Sequence, residues 1–247
     1  MKKSNNNYLK DTLTSRFFKQ NDEYTQDFFF RLNESWWSRK YEYLWASKFI
    51  DENDTALDAA CGVSHPFKFY LAEKNNITHA IDLDKRINSY QDICKEIKND
   101  LGASSLTRLS KSIYDKINFQ VSDLTSLPFE SNYFDKIYCI SVLEHLNDDL
   151  NNSGRFASVF YRWRINNPKV NKDMYLALKE FSRVLKPNGK IILTFDYPRI
   201  NLRYFSKAIE DIGLKPVGCI DYRLPSDALF QSEIKLYCFR VVLEKSN

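Results

Sequence analysis

The sequence predicts an α/β fold: a seven-stranded, mostly parallel sheet with one antiparallel strand, helices on both faces and an N-terminal helical cap. Three observations carry this expectation. From Thr55 onward, short apolar runs alternate with longer amphipathic stretches, the pattern of repeated strand-helix units. The last two apolar runs have no helical pattern between them, so they pair as an antiparallel hairpin. A chain of 247 residues, 43% of them hydrophobic, can fill the core of one such domain.

Residues 1–50 form the predicted cap. Trp37, Tyr41, Leu44, Trp45 and Phe49 recur at helical spacing, and Trp36, Tyr43 and Ile50 lie on other sides of the same helix, so it meets more than one neighbour. Residues 51–247 form the domain proper, with strands predicted at 55–60, 77–82, 116–123, 134–141 and 189–196. Ile87, Tyr90, Cys94 and Ile97 mark one amphipathic helix, and Leu178, Phe181 and Leu185 mark another. The second stops at Lys186-Pro187-Asn188-Gly189, where proline cannot continue a helix and glycine is free to take positive φ. A third helix carries Leu202, Phe205, Ile209 and Ile212 and ends at Gly213, leaving 217–222 and 234–244 as the final strands.

The charge balance excludes little but is informative. With 36 basic and 32 acidic residues the formal net charge is +4, short of the clustered excess that would indicate nucleic acid. No apolar run approaches the roughly 20 residues of a membrane span, and Met1-Lys2-Lys3 leads into no apolar stretch, so a cytoplasmic protein is expected. Cys61, Cys94, Cys139, Cys219 and Cys238 are scattered, with no C-x-x-C pair, and read as reduced thiols.

The first strand ends in Asp58-Ala59-Ala60-Cys61-Gly62-Val63-Ser64. Small residues at the carboxyl end of a parallel strand let backbone N–H groups approach a ligand. The second strand ends in Ile81-Asp82-Leu83-Asp84, which places a carboxylate where ribose hydroxyls could donate to it. For Asp82, and for Asp123 further on, capping of the next helix is the competing role.

With these segments the chain resembles the class I, Rossmann-like S-adenosylmethionine-dependent methyltransferases, whose first loop reads roughly D-x-G-C-G-x-G. Val121-Ser122-Asp123-Leu124-Thr125-Ser126-Leu127-Pro128-Phe129 is similar to the loop after the family's third strand, and Tyr133 through Leu146 to its fourth strand and exit. Phe181 through Leu193 is similar to the following helix, turn and strand, so the resemblance runs from about 54 to 197 in the family's order. It implies S-adenosyl-L-methionine as cofactor. Asp58 would organise the loop, Ala60 and Gly62 would offer backbone, and Asp82 with Leu83 would meet the ribose. Asp123 would meet the adenine amino group, the Leu124 N–H a ring nitrogen, and Ser141 the cofactor from the fourth strand. Arg39 and Trp37 of the cap would reach its methionine end. The sequence departs from the pattern where Ala60 and Ser64 replace two of the three glycines.

Methyl transfer needs alignment more than covalent help, so catalytic groups are weakly marked. His145 is a candidate general base beside Glu144, and His65 is a second; for His145 a structural role is the alternative. Ser141 stands where catechol-type relatives carry a metal-binding aspartate, and no metal spacing occurs elsewhere, so no metal is expected. An inserted lid-like segment at about 147–172 carries Tyr161, Arg162 and Arg164, whose character suits a polar or anionic acceptor; packing aromatics and solvated arginines are the alternative. The expected activity is O- or N-methylation of a small polar molecule such as a sugar or secondary metabolite. A macromolecular acceptor, RNA or protein, and a cofactor-binding module without turnover are the alternatives.

Overall fold

The computed structural model of the chain describes residues 11–74, 77–146 and 168–246. The parallel core contains β2 (Thr55–Ala59), β3 (Ile77–Asp82), β4 (Ile117–Val121), β5 (Phe134–Ile140) and β6 (Leu185–Tyr197). Strand β9 (Leu236–Lys245) runs antiparallel along β6, from Ile191↔Leu243 to Tyr197↔Tyr237. Side chains alternate between two cores, as the pleat of a sheet covered on both faces requires. Leu57, Ala59, Ile137, Cys139, Phe239 and Val241 enter one core, with Phe181 and Phe205 from the helices that cover it. Ala56, Tyr138, Ile140, Cys238 and Val242 enter the other, against Trp45, Phe67, Ile93 and Ile97.

The first core is covered by α5 (Pro168–Val184) and α6 (Leu202–Ile212). The second is covered by α1 (Arg39–Ser47), α2 (Phe67–Glu73) and α3 (Tyr90–Leu101), while α4 (Lys111–Tyr114) is a short turn before β4. Local signals fix the ends: Asn201 accepts from Arg203 and Tyr204 N–H at the start of α6, and Gly213 closes it at φ 78°.

Among the described residues the sheet holds nine strands rather than the expected seven, because one edge position is shared. β8 (Phe230–Gln231), β1 (Arg16–Phe17) and β7 (Leu214–Pro216) pair in succession along β9, at Leu236–Tyr237, Phe239–Arg240 and Leu243–Lys245. The final hairpin therefore forms with 214–216 rather than 217–222, which makes one isolated bridge, Ser15↔Ile220. The described part of the cap is also less helical than expected: α1 is its main helix, and 18–38 runs irregularly. The helical spacing from Trp37 to Phe49 does fall on α1 and its flanks, whereas Phe18, Phe28, Phe29 and Phe30 reach the second core from outside any helix.

A third difference lies at Leu185. It pairs with Phe134 as the first residue of β6, and the register shifts before Lys136↔Lys190, so Pro187 and Asn188 sit in an irregular part of a strand. Gly189 has no positive φ. A Cβ there would stand 2.9 Å from the Asp135 carbonyl, so close approach of the neighbouring strand is what requires glycine.

The order β1-β9-β6-β5-β2-β3-β4 puts β2 inside the sheet, with β3 on one side and β5 on the other. The chain moves outward from β2 through β3 to β4 and then returns to β5. This reversal opens a crevice at the carboxyl ends of β2 and β5, where open α/β sheets bind ligands.

Candidate functional site

A cavity of about 680 Å³ occupies that crevice. Its floor is the turn after β2, where Ala60 and Gly62 both adopt left-handed backbone, at φ 57° and 61°. Glycine takes this conformation freely and alanine does not, so Ala60 carries local strain. A Cβ at Gly62 would lie 2.5 Å from Cδ2 of His65, so that position admits only glycine without moving the histidine. Under the turn, Asp58 is buried with Oδ2 lacking a hydrogen-bond partner. Burial pushes its carboxyl up to about 7 against the pull of Lys68, with the Asp82 charge adding to the rise.

One flank of the cavity is formed by the exits of β3 and β4. Asp82 accepts the Gly62 N–H at 2.8 Å through Oδ2 and the Asp84 N–H at 2.9 Å through Oδ1. Ionised carboxylate oxygens hold about four lone-pair sites, so acceptor capacity remains. Asp84 itself caps the short helical turn at Lys85–Asn88. Leu83 and Leu124 give this flank apolar surface, beside Ser122 and Thr125. Asp123 is exposed, and its Oδ1 accepts both the N–H and the hydroxyl of Thr125 at 2.8 Å. Only a turn follows Asp123, so these bonds close that turn and are not the helix cap weighed from sequence; one of its two oxygens is used in them.

The other flank joins the cap to β5 and β6. Glu42 of α1 is fully buried and accepts from Ser38 Oγ at 2.8 Å, Arg39 Nη1 at 2.6 Å, Ser141 Oγ at 2.5 Å and Thr194 Oγ1 at 2.5 Å. Burial would raise this carboxyl, but Arg39 and the two hydroxyls together hold it below the usual range. Arg39 reaches the Ser141 carbonyl at 3.4 Å and lines the cavity. Tyr43 meets Nδ1 of His65 at 2.7 Å, and the His65 ring stacks on Trp36 at 4.2 Å. Burial, reinforced by the charges of Arg39 and Lys68, holds this imidazole well below its ordinary value, so it is neutral at pH 7.

His145 stands at the mouth of the same flank, exposed, on the helical turn Leu143–His145. Glu144, His145 and Asp196 bring one donor atom each within 4.8 Å of one another. Arg199 supplies positive charge there, with Nη1 at 3.2 Å from Nε2 of His145 and 3.9 Å from Asp196. Among the described residues Glu144 Oε2 and Asp196 Oδ1 are buried without hydrogen-bond partners, and Asp196 is pushed up to about 7 by burial and then by the charges of Glu144 and Glu42. These features suit the carboxyl ends of the sheet for holding a nucleoside joined to a charged tail. The methyltransferase domain family matches residues 57–193, from β2 into β6.

The chain belongs to that family. A phosphoethanolamine N-methyltransferase from Triticum aestivum is 25% identical over 184 residues, covering 70% of this chain and 32% of the wheat protein. The chain thus spans about a third of that relative's length. Among solved structures, the [4+2]-cyclase SpnF aligns with a TM-score of 0.56 at 12% identity, over 98% of this chain and 92% of that one. An S-adenosylmethionine-dependent methyltransferase from Methanosarcina mazei aligns at 0.50 and 19% identity, over 81% and 96%. Both share the fold.

The chain carries a methyltransferase domain, and its cavity fits S-adenosyl-L-methionine, the cofactor implied by the sequence, in size and in donor set: two carboxylates and apolar surface on one flank, a guanidinium on the other. Of the residues expected at the site, Asp58, Ala60, Gly62, Asp82, Leu83, Asp123, Leu124, Ser141 and Arg39 line the cavity, as do His65 and His145. Trp37 instead packs against the second core. Tyr161, Arg162 and Arg164 lie outside the described residues, although Leu146 and Asp173, on either side of the undescribed stretch, both line the cavity. Among the described residues no helix is long and apolar enough to cross a membrane.

Sequence reasoning missed Glu42, Tyr43, Lys68, Asp196 and Arg199. Two of them left a trace. Lys68 interrupts the apolar run from Phe67 to Phe69, and Glu42 lies between Tyr41 and Tyr43 on a helix otherwise read as a packing face.

Proposed function

We propose that this methyltransferase acts on an oxygen or nitrogen of a small polar molecule. The observation that carries this reading is the flank where Arg39, Tyr43, His65, Ser141 and His145 converge on one cavity from the cap, the first loop and the exit of β5. A recess walled by the cap suits a small acceptor better than an extended polymer. The name of the wheat relative, with a phosphorylated amine as acceptor, supports the same size and polarity of substrate.

In this reading Asp82 accepts from the ribose hydroxyls while its bond to Gly62 keeps the loop closed on it. Leu83 and Leu124 would hold the base by apolar contact, and Asp123 with the Leu124 N–H would supply its polar partners. Arg39, locked to Glu42, binds the amino-acid carboxylate through a charge-assisted hydrogen bond. The cofactor supplies an activated methyl group on a sulfonium, so the chain's own task is alignment and exclusion of water. His145 takes the proton released by the acceptor at the cavity mouth, with Glu144 and Arg199 fixing its surroundings. His65, kept neutral and bonded to Tyr43, orients the acceptor by hydrogen bonding.

The test is release of S-adenosylhomocysteine in the presence of a panel of amines, sugars and hydroxy acids. Turnover with panel members, abolished in His145→Ala but with cofactor binding retained, is the expected result. Methyl incorporation confined to RNA or protein fractions would overturn it.

A further inference from the structure

Lys68 is a fully buried lysine directly beneath the first loop. Its Nζ donates to the carbonyls of Gly62 at 2.7 Å, His65 at 2.6 Å and Cys61 at 3.2 Å. An ammonium has three donors, and a buried one is tolerated when each finds an acceptor. Here the three acceptors all belong to residues 61–65. The charge of Lys68 also pulls against the upward shift of the Asp58 carboxyl, so one side chain on α2 acts on both the loop and the end of β2. We propose that Lys68 is a positioning residue for the methyl donor, holding loop 61–65 from below in its binding shape.

The proposal rests on the reading that this loop receives the cofactor, and peptide geometry explains how a lysine on the far side reaches it. In a trans peptide the C=O and N–H point in opposite directions. Turning the Cys61 carbonyl down onto Lys68 therefore turns the Gly62 N–H outward, where it meets Asp82 at 2.8 Å. The pin below and the carboxylate above grip the same peptide. Lys68 thereby sets the position of Asp82, the group assigned to the ribose. The loop needs such a pin because Ala60 holds a left-handed conformation that glycine would adopt without strain. The ring of Phe69, 4.6 Å from Nζ, completes the cage.

The experiment is calorimetric titration of S-adenosylhomocysteine into the wild-type chain, Lys68→Met, Lys68→Met/Ala60→Gly and Lys136→Met. Lys136 is a second buried lysine, at the amino end of β5, paired with Asp51 and Asp54 far from the loop. Loss of a charged hydrogen-bonding group predicts Kd at least about tenfold weaker in Lys68→Met. Relaxing Ala60 to glycine in that background should recover part of the loss. Lys136→Met should lower thermal stability and leave Kd unchanged.

Wild-type affinity in a folded Lys68→Met chain overturns the proposal. If that variant does not fold, hydrogen exchange on the wild-type chain decides: a Gly62 amide protected before ligand is added supports the pin, and free exchange overturns it. A wild-type chain that does not bind S-adenosylhomocysteine removes the cofactor reading itself, a result separate from equal binding by both chains.

Discussion

The two flanks of the cavity are built from different materials. The flank at the exits of β3 and β4 presents Asp82, Leu83, Asp123 and Leu124 from short segments directly after their strands, with Leu83 and Asp123 exposed. The opposite flank is assembled around charge held out of water: Glu42, Glu144 and Asp196 are buried and Arg39 is partly buried in its wall, burial raising Glu144 and Asp196 while pairing outweighs burial at Glu42 and Arg39. A flank of local turns tolerates change one residue at a time. A flank of interlocked charges fails as a unit, because removing one partner strands the other.

The largest expected effect follows from that difference. Glu42→Ala leaves Arg39 without its carboxylate and Ser141 and Thr194 without an acceptor, and urea unfolding should show a loss of about 3–5 kcal/mol. An effect below about 1 kcal/mol would mean that the network is not holding the cap to the sheet.

On the other flank, Asp82→Asn removes the charge that grips Gly62 and Asp84. Affinity for S-adenosylhomocysteine should drop by about 1.5–3 kcal/mol, with a much smaller change in unfolding free energy. Equal losses in both measurements would erase the contrast between the flanks.

The third expectation is a pH dependence. Asp58 and Asp196 both have folded-state values raised to about 7, so the folded chain retains protons that the unfolded chain releases near pH 4. Their contribution is complete below that value and is lost as pH rises through about 7. His65 acts in the opposite sense: its value is depressed, so its contribution is lost as pH falls below the unfolded value near 6.5. Thermal melting of Asp196→Asn should therefore show a flatter fall between pH 5 and pH 8 than the wild type, by on the order of 2 kcal/mol in unfolding free energy. Parallel curves for the two chains would remove Asp196 as a source of the dependence.

The smallest effect concerns the turn itself. Ala60→Gly relieves a left-handed alanine at the cost of a more flexible unfolded chain, so stability should rise by less than about 1 kcal/mol in chemical denaturation.

The same contrast governs what could be read from sequence. The β3 and β4 flank is legible because each residue sits at a fixed offset from its own strand, and alternation locates the strand. Glu42 is separated from Ser141, Thr194 and Cys238 by 99, 152 and 196 positions, and no local pattern reports such meetings. Leu185 shows a related limit. Its spacing from Leu178 and Phe181 is helical and a Pro-Asn-Gly turn follows, yet pairing with Phe134 draws it into β6. In the cap, the three consecutive rings Phe28, Phe29 and Phe30 fill one core, a role that no helical or strand period marks.

The shared edge of β9 bears on how the chain is made. Strand β1 leaves the ribosome first, yet its partners Phe239 and Arg240 belong to the last strand of the sheet. The parallel core from β2 to β6 can pair while synthesis continues, but β1 has nothing to join until β9 is complete. Phe18 can meet Tyr41 and Trp45 early, but the contacts of Phe17 with Tyr237 and Phe239 form only when β9 arrives to receive them.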